Sequence, residues 1–205
     1  ASNKTYNGNT TATVDVSSAV YTGLVDGDDL TVSATGTFAN KNVGTNKTVT
    51  LVSSYSGDDS GNYSITDQGS TTANITAKTL TVSGITASNK TYNGNTTATV
   101  DVSSAVYAGL VDGDDLTVSA TGTFDNKNVG TNKTVTLSSS YSGDDTGNYS
   151  ITDQTSTTAD ITVKTLTASA SASNKTYDGD NTSTVTLTLT GVVDGDTVTS
   201  SNSST

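Results

Sequence analysis

The chain has 205 residues and a net charge of −11, and it contains no His, Cys, Met, Trp or Pro. Glu and Arg are missing too, so every acid is Asp and every base is Lys. Without His or Cys the usual zinc ligand sets, thiol nucleophiles and Ser-His-Asp chemistry are excluded, and without Arg there is no bidentate clamp for phosphate. The acidic balance argues against nucleic acid as a partner. No apolar run nears the roughly 18 residues of a membrane span, so membrane insertion is not expected.

The chain repeats itself. The stretch Ser2-Asn-Lys-Thr-Tyr-Asn-Gly-Asn-Thr-Thr-Ala12 returns unchanged at residues 88–98 and, edited, from Ser173. Tyr6, Tyr92 and Tyr177 mark three starts, 86 and then 85 residues apart. The expected organisation is a β repeat over 1–86, a second over 87–171 and a partial third over 172–205. The chain reads as an excerpt from a longer array.

Within the first copy, Asn7-Gly8, Asp26-Gly27, Asn42-Val-Gly44, Ser56-Gly-Asp-Asp59 and Gly61-Asn62 are turn signals, because Gly, Asn and Asp tolerate positive φ. Between them the sequence predicts strands at 10–16, 19–25, 29–38, 47–55, 63–67, 71–77 and 79–85. Runs such as Leu30-Thr-Val-Ser-Ala34 and Lys47-Thr-Val-Thr-Leu51 put apolar residues on every second position, the period of a half-buried strand. Helix is disfavoured by the abundance of Thr, Val, Ser, Asn and Gly. Seven short strands in under 90 residues predict an all-β fold of tandem immunoglobulin-like β-sandwich repeats, with a β-solenoid as the alternative. The inward positions are expected to be Val14, Val16, Val32, Phe38, Val49, Leu51, Ile65, Ile75, Leu80 and Val82. Tyr6, Tyr55 and Tyr63 are expected to lean on the sheet edges with their hydroxyls toward water.

The two full copies are nearly identical, with small changes such as Thr22 to Ala108, Ala39 to Asp125 and Asn74 to Asp160. Duplication this close suits a spacer better than a catalytic site. The sharpest chemical candidates are aspartates: Asp26, Asp28, Asp29, Asp58 and Asp59, with Asp112, Asp114, Asp115, Asp144 and Asp145 in the second copy. Oxygen ligands crowded into turns suit weak calcium binding in extracellular modules, although the spacing matches no EF-hand loop. The plainer reading, preferred here, is that they shape turns and keep strand edges soluble. No other cofactor is expected. Enzymatic activity is not expected, since no convergent polar pocket is legible.

Several of these blocks together resemble the YDG/MBG-type domains of bacterial surface adhesins and haemagglutinin-like exoproteins. They are the opening motif Lys-Thr-Tyr-(Asn/Asp)-Gly at 4–8, 90–94 and 175–179, and Val25-Asp-Gly-Asp28. Then come Gly36-Thr-Phe-Ala-Asn-Lys-Asn-Val-Gly44, Ser56-Gly-Asp-Asp-Ser-Gly-Asn-Tyr63 and Ala73-Asn-Ile-Thr-Ala-Lys78. Asn7 and Asn93 depart from the Asp usual in the opening motif, and Ala77 and Val163 stand where Pro is usual. The resemblance implies a secreted, cell-surface stalk or matrix fibre without enzymatic activity, whose partners are neighbouring repeats and other copies in a fibre. The alternatives are a self-assembling extracellular filament subunit using strand complementation and a weak glycan- or calcium-binding module.

Overall fold

The computed structural model describes residues 1–199. The last six positions of the expected third copy therefore lie outside the described residues. The fold is all-β, with two single-turn 3₁₀ helices, Ser60–Asn62 and Thr146–Asn148. In chain order the strands are β1 (Lys4–Thr5), β2 (Thr11–Ala12), β3 (Thr31–Phe38), β4 (Gly44–Ser56), β5 (Ser70–Thr76) and β6 (Lys78–Ser83). Next come β7 (Thr86–Ala87), β8 (Lys90–Thr91), β9 (Thr97–Ala98), β10 (Val100–Asp101) and β11 (Val106–Ala108). Then follow β12 (Thr117–Phe124), β13 (Gly130–Ser142), β14 (Tyr149–Thr152), β15 (Ser156–Thr162), β16 (Thr167–Ala172) and β17 (Val185–Thr190). Among the described residues no helix is long and apolar enough to cross a membrane.

By contact the chain groups into two compact units that do not follow the sequence copies. One takes Ala1–Ser83, Ala105–Val118 and Ser140–Asp153, and the other takes Gly84–Ser104, Ser119–Ser139 and the chain from Gln154 onward.

The first unit is built on a five-stranded sheet of order β1-β5-β4-β3-β2. Here β3 and β4 form a long antiparallel hairpin, Thr31 opposite Ser56 through Phe38 opposite Val49, while β1 runs parallel to β5. The alternation expected for strands appears as alternating burial: Phe38, Val49, Ala73 and Ile75 are buried and their Thr neighbours exposed. Gly36 is fixed by this packing, since a Cβ there would stand 2.7 Å from Val14 Cγ2 and 2.9 Å from Val49 Cγ1. The second unit repeats the arrangement, with order β8-β15-β13-β12-β9 and Gly122 crowded by Val100 and Val135.

The same unit as the first sheet also holds a three-stranded sheet of order β11-β6-β14. Its middle strand, β6, ends the first copy, and both outer strands belong to the second. Val106, Tyr107 and Ala108 pair antiparallel with Ser83, Val82 and Thr81, and Tyr149–Thr152 pair parallel with Lys78–Thr81. Leu80 and Val82 are almost fully enclosed, at 0% and 2% exposure. In the other unit β16 pairs with β17, Thr190 opposite Thr167 and Thr188 opposite Ser169. Counted back from Val193-Asp-Gly-Asp196, Thr188–Thr190 stand where Val106–Ala108 stand before Val111-Asp-Gly-Asp114. The end of one copy thus meets the same part of the next copy twice.

Of the ten residues expected inside, Phe38, Val49, Ile75, Leu80 and Val82 are buried. Val14, Val16, Val32 and Leu51 are only half-buried, and Ile65 is exposed at 37%. The strands expected at 19–25 and 63–67 do not form in the first copy, although their counterparts β11 and β14 form in the second. A middle strand separates the two cases: β6 pairs with both β11 and β14. Truncating Leu80 to Ala removes a side chain with no solvent contact and should cost about 2–5 kcal/mol, measured by urea denaturation of the full chain. A loss below about 1 kcal/mol would mean that β6 does not carry this sheet.

Candidate functional site: a lysine, aspartate and tyrosine joint

In the first unit the opening motif of the first copy meets the turn motifs of the second. That opening motif is locally rigid: Lys4 Nζ donates to the carbonyls of Asn9 (2.7 Å) and Thr11 (3.0 Å) and to Asn9 Oδ1 (2.9 Å). Its ammonium lies 5.4 Å from the centre of the Phe38 ring. This holds the turn at Gly8, whose φ of +78° suits glycine. Gly8 is also the point of closest approach, because a Cβ there would lie 2.7 Å from Val111 Cγ1.

Tyr6, one step after β1, points inward at 1% exposure. Its hydroxyl donates to Asp114, 2.8 Å from Oδ2 and 3.0 Å from Oδ1. This corrects the expectation of an edge tyrosine facing water. Tyr149 meets it edge-on, with ring centres 5.5 Å apart and planes at 76°. The Tyr149 hydroxyl accepts from Val111 N (2.9 Å) and donates to Asp114 Oδ2 (2.5 Å). Lys41, from the Asn-Lys-Asn-Val-Gly block, places Nζ 2.9 Å from Asp114 Oδ1 and 2.8 Å from Asp145 Oδ1. Buried Asn148 closes the group, accepting from Val43 N (3.0 Å) and donating to Asp145 Oδ1 (3.2 Å).

The Ser-Gly-Asp-Asp motif sets the carboxylates. A Cβ on Gly143, φ +118°, would lie 2.3 Å from the Asp115 carbonyl oxygen, so only glycine lets the two segments touch. Across that contact Asp115 N donates to Asp145 Oδ2 (3.1 Å), and Asp145 N donates to Asp115 O (3.3 Å). The first copy has the same clamp, with Asp29 N donating to Asp59 Oδ2 (3.0 Å).

Electrostatics follow from this geometry. Burial alone would raise Asp114, but hydrogen bonds from Tyr149, Lys41 and Tyr6 outweigh it and hold the carboxyl below its ordinary 3.8. Lys41 holds Asp145 low against burial, and the Asp145, Asp114 and Tyr6 contacts raise Lys41 well above its usual range. Burial and then Asp114 push Tyr149 up to about 12.

A second instance lies in the other unit. Lys127 Nζ is 3.1 Å from Asp196 Oδ1, and the Tyr92 hydroxyl and Lys127 together hold the Asp196 carboxyl low. Gly94 crowds Val193 at 2.6 Å, as Gly8 crowds Val111. Tyr, Gly and Lys of one copy again meet Val-Asp-Gly-Asp of the next.

The ten aspartates singled out in the sequence do not converge on a cation. Asp26, Asp58, Asp112 and Asp144 are exposed, and Asp28 accepts from the Tyr63 hydroxyl. Asp59 and Asp145 accept from the backbone N–H of Asp29 and Asp115, which are themselves exposed residues, while Asp114 and Asp145 share a lysine. Among the described residues no group of three or more acidic side chains is placed to hold a metal ion. The carboxylates of Asp28, Asp59, Asp114 and Asp145 already accept internal N–H, O–H or ammonium donors, so these four do not fit a calcium site. Sequence reasoning missed Tyr6, Lys41, Asn148 and Tyr149 as site residues. Tyr6 lies in the Lys-Thr-Tyr opening motif, Lys41 in the Lys-Asn-Val-Gly block, and Asn148 and Tyr149 at the end of the Ser-Gly-Asp-Asp block, all of them repeated motifs.

The YDG domain model matches the chain twice, over residues 1–73 and 76–159. The chain belongs to the YDG domain family. The narrower attribution to repeats of bacterial adhesins and haemagglutinin-like exoproteins is corrected: the match is to the YDG domain, and it carries no adhesin. No curated protein and no solved structure matches the chain. The second YDG match starts just ahead of β6, so it groups that strand with the copy that follows, as the sheet does.

Removing the Tyr6 hydroxyl (Tyr6→Phe) deletes one donor to a charged acceptor and should cost about 1–2 kcal/mol in thermal or urea unfolding. The pH dependence has two limbs. Depressed carboxyls at Asp114 and Asp145 contribute stability that is complete at neutral pH and lost as pH falls below 3.8 through their folded values. Raised Lys41 and Tyr149 contribute stability lost as pH climbs from about 10 upward. Melting temperatures across a pH series should fall at both ends, and Asp114→Asn should flatten the acid limb. An acid limb unchanged in that variant would remove the cluster from the account.

Proposed function

We propose that the chain is a non-enzymatic structural array, in which YDG copies are joined by sharing strands and thereby transmit load along the backbone. The observation that carries this reading is the three-stranded sheet β11-β6-β14, in which the last strand of one copy is the middle strand of the next. Backbone hydrogen bonds on both edges of β6, with Leu80 and Val82 enclosed, make a copy boundary that cannot open without breaking a sheet. The lysine and aspartate joint adds alignment. Charge groups that are mutually satisfied contribute little net stability, but misplacing one partner leaves a buried charge, so they favour one docking. The family motifs supply this joint, and Asp114, the most enclosed carboxylate in it, is held ionised and engaged by three donors. That arrangement suits a fixed contact better than proton transfer.

We extend the proposal to the fold of a copy, an immunoglobulin-like β-sandwich, supported by one-sided burial along β3, β4, β12 and β13. The acidic surface keeps such arrays apart in solution, which suits a position outside the cell.

Single-molecule pulling on the full chain tests the structural reading. Each released copy should lengthen the tether by about 280–310 Å, from roughly 3.3–3.6 Å per residue, in discrete steps. Leu80→Ala should lower the force of the step that opens the shared sheet. Smooth extension without steps would defeat the load-bearing reading.

A further inference from the structure

The first copy carries a cleft of about 630 Å³ where the second copy carries β6. Its apolar wall is Val14, Val16, Leu30, Val32, Leu51 and Ile65, and its rims are Val20–Thr22 on one side and Tyr63–Thr66 on the other. Shifted by one repeat, these rims become Val106–Ala108 and Tyr149–Thr152, the residues that pair with the two edges of β6. Gln68 also lines the cleft. Its counterpart Gln154 reads the backbone just beyond β6, accepting from Ile85 N at 2.9 Å and donating to Ile85 O at 2.7 Å. The sequence from Tyr63 to Gln68 is identical to that from Tyr149 to Gln154.

Identical residues differ in burial according to whether the strand is there. Leu116 and Val118 are buried at 7% and 3%, while Leu30 and Val32 are half-buried. Tyr149 is buried and Tyr63 half-buried, and Val20 is 87% exposed against 55% for Val106. The rims of the first copy are not strands, whereas in the second they are β11 and β14. Two unpaired edges, 63–66 and 20–22, flank an apolar floor, a combination that asks for one extended segment rather than a small molecule.

We infer that this cleft is a strand acceptor whose occupant is the closing strand of another YDG copy, of the sequence type Lys-Thr-Leu-Thr-Val-Ser-Gly-Ile. The inference rests on the reading of the copies as strand-sharing modules and adds the acceptor site and its ligand. Recognition divides between backbone and side chains. Parallel pairing to residues 63–66 and antiparallel pairing to residues 20–22 supply the hydrogen bonds. Leu and Val at alternate positions fill the floor, as Leu80 and Val82 do in the second copy, and the Gln68 amide brackets the Ile backbone. The strand Thr167–Ala172 is a poorer donor. Its Ala168 and Ser171 stand where Val82 and Ile85 stand, so it lacks the side chains that the floor would enclose. The donor's single Lys and lack of acids also favour approach to a chain of net charge −11.

The probe is a synthetic peptide of residues 78–86, titrated into the full chain and followed by calorimetry and hydrogen exchange. Saturable one-to-one binding is expected, with a dissociation constant below about 1 mM and new amide protection confined to residues 20–22 and 63–66. Ile65→Asp alters a side chain that is already partly exposed, so the chain should fold, and binding should weaken at least tenfold. A peptide with Asp at the Leu and Val positions should not bind. No binding at millimolar peptide, equal binding of the Asp peptide, or protection elsewhere would overturn the inference. So would concentration-dependent dimerisation of the chain that Ile65→Asp abolishes and the peptide fails to compete, since the occupant would then be the Thr167–Ala172 strand of a second molecule. Failure of the peptide with stepwise pulling intact would overturn the acceptor alone. Peptide binding without pulling steps would overturn load bearing alone.

Discussion

A β-strand has two edges, and the rest of this structure depends on what fills the two edges of Lys78–Ser83. One edge takes Tyr149–Thr152 in parallel and the other takes Val106–Ala108 antiparallel. Unpaired backbone N–H and C=O groups next to an apolar floor are costly, and the rim segments are irregular in the first copy but are strands in the second, where Lys78–Ser83 pairs with them. The two copies show both states in nearly the same sequence. Copy identity therefore does not mean structural identity, because a repeat's second sheet is completed by residues that its neighbour carries.

The polar residues follow from that sharing. Placing the end of one copy inside the next brings Tyr6, Gly8 and Lys41 against Val111, Asp114 and Asp145. An ammonium between two carboxylates, with two phenols donating to one of them, satisfies every charge only in one alignment. The repetition of this contact as Tyr92, Gly94 and Lys127 against Val193 and Asp196 explains why opening and turn motifs keep step along the chain. Among the aspartates that resemble ligands in the sequence, Asp114 and Asp145 are acceptors for this joint, and Asp59 and Asp145 for the backbone clamps at Gly57 and Gly143.

Much of this was legible beforehand. Alternating Val, Leu and Phe between Gly, Asn and Asp turns placed β3, β4, β5 and β6 within a few residues, since period-2 burial writes itself into residue type. The 19–25 and 63–67 stretches were expected as strands from the same signal, and their failure in the first copy reflects a missing neighbour rather than a wrong propensity. Tyr6 was misplaced because a tyrosine next to a turn looks amphipathic, and nothing local shows that a carboxylate 108 positions away receives its hydroxyl.

The amino-acid order by itself determined the all-β class, the repeat length, the apolar face of each strand and the absence of thiol and imidazole chemistry. Tertiary structure alone decided that the closing strand of one copy lies between two strands of the next, and that Lys41 meets Asp114 and Asp145. The physical reason is that side-chain alternation specifies which face of a strand is buried, whereas edge pairing is made by backbone groups common to every residue. Which edges meet is settled only when the apolar floor, the glycine contacts and the charges close together.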